Sequence, residues 1–152
     1  RDAIFRASHD WICKFSVGEQ VPRERLEAHI AASFPDRFSP ASLKSIAQNL
    51  NSSWTKTGHL HGRVKKFRAQ AQPTAASTAF ALYLGYLNGI RGEALFHSPY
   101  AKLLDARPAE LMEKAEIASQ RGWIVMKRLG NVIEVLLPQL ITEEERRQLH
   151  EQ

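Results

Sequence analysis

The stretch Ser52-Ser53-Trp54-Thr55-Lys56-Thr57-Gly58-His59-Leu60-His61-Gly62-Arg63-Val64-Lys65-Lys66-Phe67-Arg68 changes rhythm at its middle. Its first part closes a run in which Leu43, Ile46, Ala47, Leu50 and Trp54 recur at the spacing of one buried helix face. Gly58 stops that helix, because glycine accepts the left-handed conformation of a helix end without a Cβ clash. From His59 to Arg68 the apolar residues Leu60, Val64 and Phe67 are interleaved with cations and histidines. That pattern predicts an extended strand or hairpin with Gly62 at the bend.

Working toward the N-terminus, Ser39-Pro40 opens this helix with a capping hydroxyl and a proline at the first helical position. Pro22 to Phe34 predicts a helix with Leu26, His29, Ile30 and Ser33 on one face, ended by Pro35. Asp2 to Phe15 predicts another, with Ile4, Phe5, Trp11, Ile12 and Phe15 as its apolar positions. Helix, helix, then strand–turn–strand is the plan of a winged helix-turn-helix, whose second helix enters the DNA major groove while the hairpin touches the flanking backbone.

Toward the C-terminus, Ala69 to Pro73 reads as a linker. Thr74 caps an apolar helix over Ala75 to Asn88 that Gly89 closes, and Arg91-Gly92 reads as a loop. Short helices are expected from Ser98-Pro99 to Leu104 and from Pro108 to Arg121, the second ended by Gly122. Trp123 to Leu137 holds two β-branched runs flanking Gly130-Asn131, a pair suited to a tight hairpin, and Pro138 ends the second run. Thr142 to Glu145 has the form of a capping box for a polar terminal helix. The expected fold is mainly α with short β-hairpins: two winged-helix-like units packed together, a basic one over 1–72 and a helical one with its own hairpin wing over 73–152. Trp11, Trp54 and Trp123 are expected as core anchors.

The charge is unevenly spread. Net charge is +5, yet no carboxylate occurs between Asp36 and Glu93. That span holds Arg37, Lys44, Lys56, Arg63, Lys65, Lys66, Arg68 and Arg91, and the rest of the chain is net acidic. A local cationic excess of this kind fits a polyanion-binding face. On the third helix the polar face offers Lys44, Ser45, Gln48, Asn49, Ser52, Thr55 and Lys56. Asn and Gln pair bidentately with adenine, and Lys reaches guanine or phosphate. In the hairpin, His61, Arg63, Lys65, Lys66 and Arg68 are expected to contact phosphates. Lys127 and Arg128 beside the second turn are candidates for a lesser contact, because Glu110, Glu113 and Glu116 on the preceding helix repel phosphate.

Other chemistry is not legible. His59-x-His61 has no neighbouring Cys, Asp or Glu to complete a metal set. Gly85, Gly89 and Gly92 are not followed by the Lys-Ser/Thr of a phosphate loop; Gly85 is expected to permit close helix packing. Cys13, the single cysteine, excludes an internal disulfide and reads as a buried filler. No acid–base pair or nucleophile constellation is present, so a protein that is not an enzyme, with no cofactor and no small-molecule substrate, is expected. The apolar stretch Ala75 to Leu87 is too short for a membrane span, the sequence from Arg1 does not have a leader's pattern, and the cytoplasm is the expected compartment.

Two segments carry a family resemblance. Ser52-Ser-Trp-Thr-Lys-Thr-Gly-His-Leu-His-Gly-Arg63 and Phe80-Ala-Leu-Tyr-Leu-Gly-Tyr-Leu-Asn-Gly-Ile-Arg-Gly-Glu-Ala-Leu-Phe96 resemble BrxA, the small accessory protein of bacterial BREX phage-defence systems, over about Ser42 to Leu137. The resemblance implies winged-helix elements, binding of double-stranded DNA and a role in phage resistance; it carries no catalytic residues. The family has also been likened to antitermination factors and labelled a membrane protein, the second of which the lack of a spanning segment opposes. Two other readings stay open: an adaptor whose basic strand docks on other subunits of a defence complex, and an RNA-binding, antitermination-like factor.

Overall fold

Residues 3–144 and 147 are described in a computed structural model. The chain divides into two compact units at Ala71/Gln72. Both are mainly helical, and each carries one small antiparallel two-stranded sheet.

The first unit runs α1 (Ala3–Ile12), α2 (Arg23–Ser33), α3 (Pro40–Lys56), β1 (Leu60–His61) and β2 (Phe67–Arg68). The Ser39 hydroxyl accepts from the Ser42 amide and Pro40 occupies the first turn of α3, as its sequence requires. Pro22 sits one position earlier than a first-turn proline: it is the N-cap of α2 and supplies no side-chain cap. Leu26 and Ile30 of α2 pack with Ala47, Leu50 and Trp54 of α3 and with Ile12, Phe15, Val21 and Leu60. Ser33 is exposed, not part of this face; its hydroxyl donates to the His29 carbonyl. Trp54 is buried only because its indole N–H has a partner, the hydroxyl of the fully buried Ser8 at 3.0 Å. An unbonded N–H there would cost about 1–3 kcal/mol.

The basic hairpin is shorter than its sequence suggests. Two residues pair on each side, Leu60 with Arg68 and His61 with Phe67, and residues 62–66 form a loop. Val64 is therefore not an inward member of an alternating strand; it stands 90% exposed at the apex. Gly62 is required at the bend: its φ is +102°, and a Cβ there would run into the Lys65 carbonyl oxygen. The connector between α1 and α2 supplies further pairing. Gln20 bridges Phe67 antiparallel, the Gly18 amide donates to the Arg68 carbonyl, the Arg68 amide to that of Glu19, and the Val21 amide to that of Lys66. β2 is thus held on both edges, which stabilises strands too short to stand alone.

The second unit runs α4 (Ala75–Leu87), a 3-10 turn (Gly92–His97) that starts at the second residue of the expected Arg91-Gly92 loop, α5 (Pro99–Lys102), α6 (Pro108–Gln120), β3 (Val125–Leu129) and β4 (Val132–Leu136). Thr74 and Ser77 cap α4 reciprocally. Gly85 lets α4 approach the turn: a Cβ would lie 2.9 Å from Leu95 Cδ2. The hairpin pairs from Val125–Leu136 to Leu129–Val132, leaving Gly130-Asn131 as a two-residue connection. Only Gly130 of that pair has a positive φ, +60°, the signature of a type II′ turn. Ile133 and Val135 face a core with Leu82, Leu95, Phe96, Leu111 and Ile124. Trp54 is buried, while Trp11 and Trp123 are half-buried. The helix expected from Thr142 extends into positions outside the described residues.

Candidate nucleic-acid interface

Because α3 buries Ala47, Leu50 and Trp54, the opposite side of the helix is presented outward. Lys44, Ser45, Gln48, Asn49, Ser52 and Lys56 are all exposed there. Lys44, Gln48, Ser52 and Lys56 follow each other at i, i+4 steps and form one row.

A groove of about 780 Å³ lies between α3, the start of α2 and the β1–β2 loop. From α3 it is lined by Gln48, Asn51, Ser52, Thr55 and Lys56, and from the loop by Arg63, Val64, Lys65 and Lys66. Lys44, Ser45 and Asn49 lie on the outer face of α3 but do not line it. Arg23 and Glu24 close the α2 side, where the guanidinium pairs with Glu24 at 3.2 Å and with Glu27 at 2.9 Å. Glu24 is the one carboxylate in the lining, and it is already ion-paired. The Lys66 ammonium donates to the Gly62 carbonyl at 2.6 Å, which ties the loop across its own bend.

Asn51 was not singled out by its sequence context. It sits on the groove floor, mostly buried, and its Oδ1 has no hydrogen-bond partner among the described residues. In sequence it is one more polar residue of an amphipathic helix. Only the approach of α2 and the loop encloses it.

Arg68 is not a surface cation, contrary to expectation. It is 4% exposed, and its guanidinium donates to the carbonyls of His59 and Ala69 and lies 3.7 Å from the Cys13 sulfur. Pairing with β1 and with the α1–α2 connector turns this side chain inward, where it satisfies main-chain oxygens instead of phosphates. Cys13 is half-buried beside it and 3.4 Å from His9 Nε2. His61 is exposed and stacks on Phe67, whereas His59 is buried against Trp54 with Nδ1 at the Thr57 hydroxyl, so the two histidines face different surroundings.

Of the other cations of the carboxylate-free span, Lys44 stands exposed on the outer face of α3, and two arginines are occupied locally. Arg37 lies over Phe34 and Phe38, and Arg91 stacks 3.6 Å from the Tyr86 ring while donating to the Tyr86 and Ile90 carbonyls. Lys56, Arg63, Lys65 and Lys66 are the members that share the groove.

In the second unit Lys127 and Arg128 are exposed on β3, with Glu134 directly across the ladder from Lys127. On α6, Glu110 accepts from the Arg107 amide at 2.8 Å and from its guanidinium at 3.4 Å. The backbone bond above all, then the guanidinium, holds this carboxyl below the usual carboxylate range.

No family model matches the sequence, and no curated protein or solved structure is similar enough to match it. Among the described residues no helix is long and apolar enough to cross a membrane.

Proposed function

We propose that this chain is a non-enzymatic protein of the winged-helix class that binds duplex DNA mainly through phosphates. The carrying observation is the groove, into which α3 and the β1–β2 loop bring four cations while its sole carboxylate is paired to Arg23. Order and pairing support the class: a strand-like connector between the first two helices pairs with the second strand of the hairpin that follows the third. In this reading α3 lies in the major groove with Gln48 and Ser52 toward base edges, and Lys56, Arg63, Lys65 and Lys66 hold the flanking phosphates.

The likeness of Ser52–Arg63 and Phe80–Phe96 to BrxA supports a more particular role, that of a cytoplasmic accessory protein in a bacterial BREX phage-defence system.

Binding by fluorescence anisotropy to duplex DNA, single-stranded DNA and structured RNA, each at two salt concentrations, tests the reading. Duplex is expected to bind best, with a log–log salt slope of about −3 to −4 for four phosphate contacts. Preference for RNA would move the protein to the antitermination-like class. No binding at low salt, with co-purification of other defence subunits, would make it an adaptor.

A further inference from the structure

We propose that the tip of the β3–β4 hairpin is a separate contact with duplex DNA, an aliphatic wedge that enters the minor groove. The proposal rests on the duplex-binding reading but on residues which that reading does not use. Side chains alternate across a hairpin, so Met126, Ile133 and Val135 point to the core, while Val125, Lys127, Leu129, Val132, Glu134 and Leu136 share the outer face. Near the turn the prong outruns the core: every residue from Lys127 to Val132 is exposed. Leu129 is 84% and Val132 68% exposed, and they are the last cross-strand pair. Such a pair contributes nothing to packing at a position where turn chemistry favours polar residues.

The cations around it indicate what it meets. Lys127 and Arg128 are consecutive on β3, so they flank the tip on opposite faces of the ribbon. The minor groove presents that arrangement in reverse, an apolar-walled slot between two rows of phosphates, and proteins that use it insert Leu or similar wedges between base steps. The ribbon as a whole is wider than the minor groove of about 6 Å, so only the tip side chains Leu129 and Val132 enter, at a groove that opens on insertion. Glu134 lies directly across from Lys127, two ladder positions and about 7 Å behind the tip pair, so Arg128, one position nearer the tip and opposite Ile133, is the cation without a facing carboxylate.

Duplexes in which adenine is replaced by 2,6-diaminopurine provide the test, because the added amine fills the minor groove and leaves the major-groove edge unchanged. Wild-type protein is expected to bind the substituted duplex at least about fivefold more weakly than the ordinary one. The double variant Leu129→Ser/Val132→Ser, whose exposed positions leave the fold intact, is expected to bind ordinary duplex about tenfold more weakly, with an unchanged salt slope, and to lose the discrimination. Equal wild-type affinity for both duplexes overturns the wedge, as does a double variant that binds like wild type. The second result, combined with wild type that self-associates in sedimentation and a variant that does not, would assign the tip to a second copy of the chain. Duplex binding that ignores the tip removes only the wedge; absence of duplex binding at low salt removes the underlying reading too.

Discussion

The β1–β2 hairpin pairs two residues on each strand and opens into a five-residue loop rich in cations, whereas the β3–β4 hairpin pairs five and closes through two. The first has little ladder of its own and borrows stability from the α1–α2 connector along its outer strand. The second specifies itself, with one face in the core and a turn whose glycine meets the required positive φ. The difference separates two ways of presenting charge. The first hairpin holds a basic loop against a helix face; the second projects a narrow prong with cations behind an apolar tip.

The largest effect expected from this contrast is structural. Arg68→Ala should lower the unfolding free energy by about 2–3 kcal/mol in chemical denaturation, because buried carbonyls lose their donor. The salt slope for duplex binding by the folded protein should stay unchanged; a slope shallower by about one would return Arg68 to the phosphate contacts.

Next comes the comparison of the hairpins as anion contacts. Replacing Arg63, Lys65 and Lys66 together by Ala should weaken duplex binding about 30-fold near physiological salt and reduce the slope by about 2–3. Lys127→Ala/Arg128→Ala should cost about threefold, with a slope change near one. Equal losses in anisotropy titrations would erase the proposed difference.

The turns can be compared directly. Gly62→Ala should destabilise by about 2 kcal/mol, since strain at φ +102° is joined by a collision with the Lys65 carbonyl. Gly130→Ala meets nothing within 4 Å, so only the strain of a positive φ at its turn position opposes it, about 1–2 kcal/mol. Thermal unfolding of the two variants in parallel checks the order.

The smallest effect is one of pH. The Glu110 carboxyl is held below its usual range by the Arg107 amide, so its contribution to capping α6 is fully present above that range and is lost as pH falls through its lowered value. Wild type should therefore lose melting temperature in acid slightly more than Glu110→Gln does, and salt should shrink the gap.

What could be read in the sequence followed from local signals. Gly130-Asn131 between β-branched runs marked its hairpin because period and turn chemistry agree within about a dozen residues. Ser39-Pro40 and Thr74 marked their helices through hydroxyls that bond their own chain. Leu60 and Phe67 marked a hairpin that does form, but Val64 misled, because the strands pair only two residues a side and Val64 stands in the loop between them. Arg68 misled because a cation in a basic run looks solvated until the carbonyls around it are in place. Asn51 and the groove were invisible for the related reason that the walls come from segments some forty residues apart in the chain.

Because β2 is stitched along both edges, to β1 on one side and to residues 18–21 on the other, the exposed 62–66 loop is not what keeps it in position. A protease cut within that loop would leave a nicked protein whose pieces stay together, and the amides of Gly18, Val21 and Arg68 would exchange with solvent as one cooperative block, governed by the opening of α2 and α3 and indifferent to the state of the basic tip.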